Sequence, residues 1–295
     1  MNTPLALVPA LSFGVIPGIV TKSGGRPCQQ LMATAVGIGG LAASVALVLR
    51  PDIGIVVFGA GFASGLLWAV GTVLQYETFS LVGSGSAFSL QVGAQLVLSA
   101  IAGLTLFGEW ATSVSRVVGL VALALVMAGV SLAGWQGRGV AAADHADHRR
   151  AVLLSLAASV AFVSYAMMPR LVGATGAAAL VPQAVGIALG ALCLSLVDRA
   201  LQRRADASEA LFGINVMPCV LAGVVWAVGD MAFVYSNQLN GIAVSFTFSQ
   251  LAVAVSTVIS IVVLHEAADV DKRRRLIAGA VLITVGASLV GVTKL

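Results

Sequence analysis

Charge is what this sequence has least of. Charged residues make up 9% of its 295 positions, against about 25% in an average soluble domain, so a water-solvated surface of ordinary chemistry is excluded. Cysteine is as scarce. Cys28, Cys193 and Cys219 lie far apart, inside or beside apolar runs, which reads as small buried hydrophobes and not as a disulfide framework or metal site. No Lys or Arg precedes the first apolar stretch, so the basic region of a cleavable secretory signal is missing and the first helix is expected to stay in the mature protein.

What is present is apolar: 59% of positions are hydrophobic, gathered in runs near the ~20 residues that span a bilayer. The expected fold is an all-α integral membrane protein of ten transmembrane helices. The expected spans are Pro4 to Val20, Cys28 to Leu49, Ile53 to Tyr76, Gly83 to Phe107 and Ser113 to Trp135, then Ala151 to Pro169, Thr175 to Val197, Ala210 to Tyr235, Gly241 to Leu264 and Arg275 to Thr293. The expected organisation is a first half over 1–137, a cytoplasmic-type linker over 138–150 and a second half over 151–295.

The sequence pI of about 9.3 suggests a loop bias of a membrane protein, not nucleic acid, because the basic residues sit between spans. Twelve Lys and Arg fall in the loops after odd-numbered helices, including Lys272 to Arg275, against four (Arg50, Arg116, Arg170 and Lys294) on the other side. The positive-inside rule then turns both termini outward. The first half alone is balanced, so this orientation rests on the linker and second half.

A repeat organises the chain. Gly65, Trp68, Ala69, Val70 and Gly71 recur 158 positions later as Gly223, Trp226, Ala227, Val228 and Gly229, and Gly83 and Phe88 recur as Gly241 and Phe246. At an offset of 157, Glu109 matches Glu266, and Gly129, Ser131, Leu132 and Gly134 match Gly286, Ser288, Leu289 and Gly291. With five helices per half, the second copy enters the membrane from the opposite side. Two inverted five-helix repeats of this kind mark secondary transporters, with substrate near the midplane.

Polar side chains at membrane depth are costly unless they meet partners, water or substrate. Trp68, Thr72, Gln75 and Tyr76 follow helical spacing, as do Phe88, Gln91 and Gln95; the repeat supplies Trp226 with Asp230, and Phe246 with Ser249 and Gln250. Aromatic faces beside amides and hydroxyls suit a sugar, whose C–H faces stack while its hydroxyls find partners. Amino acids or flat drugs would also fit, and the same Gln and Ser could serve as interhelical glue with the Trp as packing. Asp230, four residues after Trp226, must be protonated, paired or solvated through a cavity, and is the candidate for proton coupling; a helix-end acid reaching water, paired with Arg170, is the alternative.

Leu264-His265-Glu266 begins like a zinc motif, but Asp269 stands where the second His belongs. A turn or salt-bridge role for Glu266 is the better reading, and His145 and His148 read as solvated linker residues. Small-residue runs around Gly37, Gly39 and Gly40, and Gly61 with Gly65, suggest close helix contacts. Pro9, Pro17, Pro169, Pro182 and Pro218 can bend or break spans.

Trp68-Ala69-Val70-Gly71 followed by Gln75, Gln95-Leu96, Gly108-Glu109-Trp110, Gly241 to Phe246, Ser249-Gln250-Leu251 and Val255-Ser256-Thr257 resemble the bacterial glucose uptake family of the drug/metabolite transporter superfamily, from Leu7-Val8-Pro9-Ala10 to the last helix. The resemblance implies ten helices in two inverted halves and proton-linked uptake of monosaccharides. It also implies binding roles for Trp68, Gln75, Gln95, Trp226, Ser249 and Gln250. The chain departs from the family pattern at Thr72 and Asp230, where amides are typical, at Phe88 to Val92, and at Leu264 to Ala267.

The leading expectation is therefore a proton-coupled uptake carrier for a monosaccharide or related polyol, in the plasma membrane, working by alternating access. Its expected partners are the small-molecule substrate, a proton and the bilayer, without nucleic acid, cofactor or metal; a homodimer is left open. The alternatives are an exporter of drugs, metabolites or amino acids on the same architecture, and a membrane receptor or scaffold. An intramembrane enzyme would need a nucleophile–base pair or metal cluster at membrane depth, and no His lies there.

Overall fold

The computed structural model describes residues 3–106, 112–133, 142–202, 213–240, 245, 248–249, 251–265 and 269–292. Among these every regular element is helical: α1 (Thr3–Lys22), α2 (Pro27–Leu49), α3 (Ile55–Val82), α4 (Ser84–Leu106), α5 (Ser113–Ala133), α6 (Ala142–Leu171), α7 (Gly176–Gln202), a 3-10 turn (Ile214–Val216), α8 (Pro218–Asn240), α9 (Ala252–Val262) and α10 (Val270–Val292). Six of them, over Pro27–Leu49, Ile55–Val82, Ser84–Ala102, Asp147–Leu171, Gly176–Ala200 and Ile214–Leu239, are long and apolar enough to cross a membrane. Leu7–Lys22, Arg116–Leu132 and Ala252–Val262 are shorter apolar segments. Large apolar side chains cover the outside, with Val48 79% and Ile55 84% exposed. Patches of that extent are unsustainable against water, so lipid is their solvent.

Several helices outrun the hydrophobic stretches that announced them. α6 begins at Ala142, so most of the segment expected as a linker is its first turns, and α3 continues to Val82. Hydropathy marks bilayer thickness, whereas helix length is set by backbone hydrogen bonding that carries on into charged sequence. Gly83, at φ 81°, is the single residue between α3 and α4; a left-handed backbone there favours the one residue without a Cβ. The expectation for the cysteines holds at Cys219, which is buried, and fails at Cys193, which is exposed on the outer face of α7.

The principal packing pairs survive an exchange of the first five helices for the last five. α3 lies on α6 and α7, as α8 lies on α1 and α2; α1 meets α9 as α6 meets α4; α2 pairs with α7, and α5 with α10. Glycines set these approaches. A Cβ on Gly65 would stand 2.1 Å from the Gln183 carbonyl oxygen, and one on Gly223 2.0 Å from that of Thr34. Gly129 against Gly279 and Gly286 against Ala122 repeat the arrangement, each at 2.7 Å, between α5 and α10.

Candidate functional site

The two copies of the repeated segment meet face to face. Trp68 of α3 and Trp226 of α8 lie with ring centroids 4.4 Å apart and planes at 50°. The glycine closing each copy seats a ring: Gly71 lies under Phe162 of α6, and Gly229 under Phe13 of α1. Phe13 and Phe162 are themselves 149 positions apart, an equivalence that amino-acid identity alone gave little reason to notice. Tyr165 closes the aromatic group, 6.2 Å from both Trp226 and Phe162.

Around these rings is a cavity of about 80 Å³. Its aromatic wall is Phe13, Trp68, Tyr76, Phe88, Phe162, Tyr165, Trp226 and Phe233. Its polar groups are Thr34, Gln75, Gln95 and Ser249. Of the sequence candidates, Trp68, Gln75, Phe88, Gln95, Trp226 and Ser249 therefore share one cavity. Phe246 and Gln250 lie outside the described residues.

Three candidates do not reach the lining. Gln91 is fully buried behind it, where its Oε1 accepts from Gln75 Nε2 at 2.6 Å. It is a support for Gln75 and not a wall residue; the Ser159 hydroxyl donates to its backbone oxygen at 3.3 Å. Thr72 is also buried, and its hydroxyl has no partner among the described residues. Helical spacing put both on the right stripe, but the stripe is wide enough to face a neighbouring helix as well as the cavity.

Asp230 is the third. It is completely buried and sits mid-helix, ten residues before α8 ends, so the reading as a helix-end acid reaching water is wrong. Tyr165, which does line the cavity, donates its hydroxyl to Asp230 Oδ1 at 3.4 Å. The side-chain amide of Gln183, from α7, stands 3.0 Å from Oδ2. Asp230 is thus one hydroxyl away from the cavity. Sequence reasoning missed Gln183 and Tyr165, which lie singly in apolar helices without a periodic partner. Thr34 was missed too; it accepts from the Tyr76 hydroxyl at 3.2 Å while donating to the Gln30 carbonyl. No cluster of His, Cys, Asp or Glu able to hold a metal occurs among the described residues.

Helices long and apolar enough to cross a membrane, around a cavity lined by aromatic rings and amides, define the class of a multi-pass membrane protein with a central polar site. The chain belongs to the family described as "Sugar transport protein", which it matches over residues 5–293. It is 32% identical over 300 residues to the Listeria monocytogenes protein named "Putative sugar uptake protein lmo0169", covering all of both chains. It is 29% identical over 298 residues to the glucose uptake protein GlcU of Bacillus subtilis, covering 100% of this chain and 99% of that one. A protein of known crystal structure shares the fold at a TM-score of 0.62 and 18% identity, over 98% of this chain and 96% of its own. Membership sets the chain among transport proteins of the bacterial plasma membrane and not among enzymes.

Proposed function

We propose that this protein is a secondary active transporter that takes up a monosaccharide or related polyol together with a proton, by alternating access of two inverted five-helix halves. The observation that carries the reading is the lining of the cavity, to which both Trp68 and Trp226, in contact across the repeated segments, contribute. Substrate held there touches both halves at once, which is what a rocking mechanism requires. The Trp rings offer stacking faces for sugar C–H groups, while Gln75, Gln95 and Ser249 offer hydrogen-bonding partners for hydroxyls. Gln91 keeps the Gln75 amide oriented. Asp230 is the proton carrier, reached through Tyr165.

The exchange symmetry of the packing supports the inverted repeat, and the Lys and Arg bias supports termini facing outward. The relatives' uptake names favour import over export. Counterflow in proteoliposomes tests the substrate: labelled hexose should exchange against unlabelled hexose inside, and failure with every hexose, pentose and polyol would overturn the sugar reading. Asp230→Asn tests the proton: accumulation driven by an imposed pH gradient should fall to what the sugar gradient alone supports. If that variant still accumulates sugar against its gradient, Asp230 is not the coupling group.

A further inference from the structure

The exchange that maps one half onto the other also pairs the residues of the cavity wall, and one of these pairs differs in a way that matters to a ligand. Phe13 and Phe162 are alike, as are Trp68 and Trp226. Ile16 and Tyr165, 149 positions apart, differ as side chains, but Tyr165 gives its hydroxyl to Asp230, so both turn apolar surface to the cavity. Gln75 and Phe233, 158 positions apart, both line the cavity as well. There the first half offers an amide and the second a ring.

Each member of that last pair is held by its own neighbour. Gln75 spends one end of its amide on Gln91, at 2.6 Å, and the other end has no partner among the described residues. Phe233 packs edge-on against Phe13, with ring centroids 6.3 Å apart and planes at 66°. A ligand hydroxyl laid against the Gln75 amide gains a hydrogen bond. The same hydroxyl laid against Phe233 gives up its water and finds no partner in return, which is costly in a closed site. Carbon-bound hydrogens have the opposite preference, since they rest on a ring without penalty and leave an amide unsatisfied.

We propose that Gln75 and Phe233 are the specificity-determining pair of this carrier, fixing the bound sugar in one orientation with a hydroxyl on Gln75 and a C–H edge on Phe233. A two-fold-symmetric ligand presents the same group to both positions and leaves one of them mismatched. The site therefore selects an unsymmetrical monosaccharide over a polyol whose hydroxyls are related by a two-fold axis. The like pairs of Phe and Trp serve either kind equally, so they set affinity and not this choice. The proposal rests on the reading of the protein as a sugar carrier, and the proton plays no part in it.

The test is counterflow of labelled glucose in proteoliposomes, competed by each monodeoxyglucose in turn and by chiro-inositol, a six-membered ring whose hydroxyls are related by a two-fold axis. The unaltered protein is compared with Gln75→Leu, Phe233→Leu and Phe233→Gln. In the unaltered protein one monodeoxyglucose should compete roughly tenfold less well than glucose because it leaves the Gln75 amide unpaired, and chiro-inositol should fall behind by a similar factor. Gln75→Leu should weaken glucose and abolish the penalty of that one deoxy sugar, the signature of a coupled pair. Phe233→Leu should weaken all competitors alike. Phe233→Gln, which gives the second half the amide of the first, should narrow the gap between chiro-inositol and glucose. An unchanged ranking of the deoxy sugars in Gln75→Leu, or chiro-inositol competing as well as glucose on the unaltered protein, overturns the proposal while glucose exchange upholds the sugar reading. If no hexose, pentose or polyol exchanges at all, the sugar reading fails and the role of the pair fails with it. Should Phe233→Gln not fold, Gln75→Leu and the competition on the unaltered protein decide.

Discussion

The two halves are alike where they touch and unlike just behind. Gly65 and Gly223, Trp68 and Trp226, Gly71 and Gly229 meet equivalent neighbours in equivalent ways. One turn on, Thr72 and Asp230 occupy the same position of the repeat, and everything around them differs. Tyr165, Gln183 and Ser64 surround Asp230, whereas the positions equivalent to them in the other half are Ile16, Thr34 and Ala222. Close backbone approach tolerates only small residues, so packing holds both copies to the same solution. The polar cluster around Asp230 is under no such constraint and stands at one of the two equivalent positions only. Shared packing with unshared chemistry is the arrangement that the proposed single proton site needs.

The symmetric part breaks most severely. An added methyl at Gly65 or Gly223 is directed at a backbone carbonyl 2.1 or 2.0 Å away, and backbone cannot swing aside as a long side chain does. Gly65→Ala and Gly223→Ala should each cost about 1–3 kcal/mol, by matching amounts, in thermal or denaturant unfolding of the detergent-solubilised protein. Gly39→Ala, with nothing within 4 Å of the new atom, should be neutral or slightly stabilising. Unequal losses at Gly65 and Gly223 would show that the exchange symmetry does not extend to energetics.

The asymmetric part gives a smaller effect of the opposite sign. The Thr72 hydroxyl is buried without a partner among the described residues. Thr72→Val removes an unsatisfied group while keeping the shape of the side chain, so it should be neutral or stabilise by about 1 kcal/mol, with driven uptake intact. On the proposed reading, the matched change at Asp230 should remove the coupling. Loss of coupling in Thr72→Val would mean that the first half carries part of the proton chemistry and that the division drawn between the halves is wrong.

How far these features could be read in advance follows from the same division. The Gly and Trp of the repeat were legible because packing imposes them twice, and repetition is visible in a single sequence. The cavity was legible in part: spacing gathered Trp68, Gln75, Phe88 and Gln95 but could not separate Gln75, which reaches the lining, from Gln91 and Thr72 one turn behind. A helix face shows which residues travel together, not which neighbour they meet. Gln183 and Ser64 were illegible because each is a lone polar residue among small and apolar ones. Pro169 was visible as a residue able to bend or break a span, and α6 runs through it; the hydroxyl that answers the carbonyl it leaves at Tyr165, from 101 residues away, exists only once α3 and α6 are docked.

The smallest effect lies at the rim, where the halves also differ by charge. Arg150 of α6 pairs with Glu77 of α3 at 2.7 Å, and Arg26, at the N-cap of α2, with Asp198 of α7 at 3.6 Å. Both pairs join one half to the other. The equivalent positions Tyr235, Thr175 and Leu49 carry no charge, so the exchange that maps the helices onto one another does not map these ion pairs. Glu77 and Arg150 are 33% and 60% exposed, and water and salt screen such pairs strongly. Glu77→Gln should therefore lower stability by less than about 1 kcal/mol at low ionic strength, and by nothing measurable at about 1 M salt, where the screening length is near 3 Å. A larger loss that persists in salt would mark the pair as part of a closed, water-excluding rim, and would extend the difference between the halves from the buried polar cluster around Asp230 to the membrane surface.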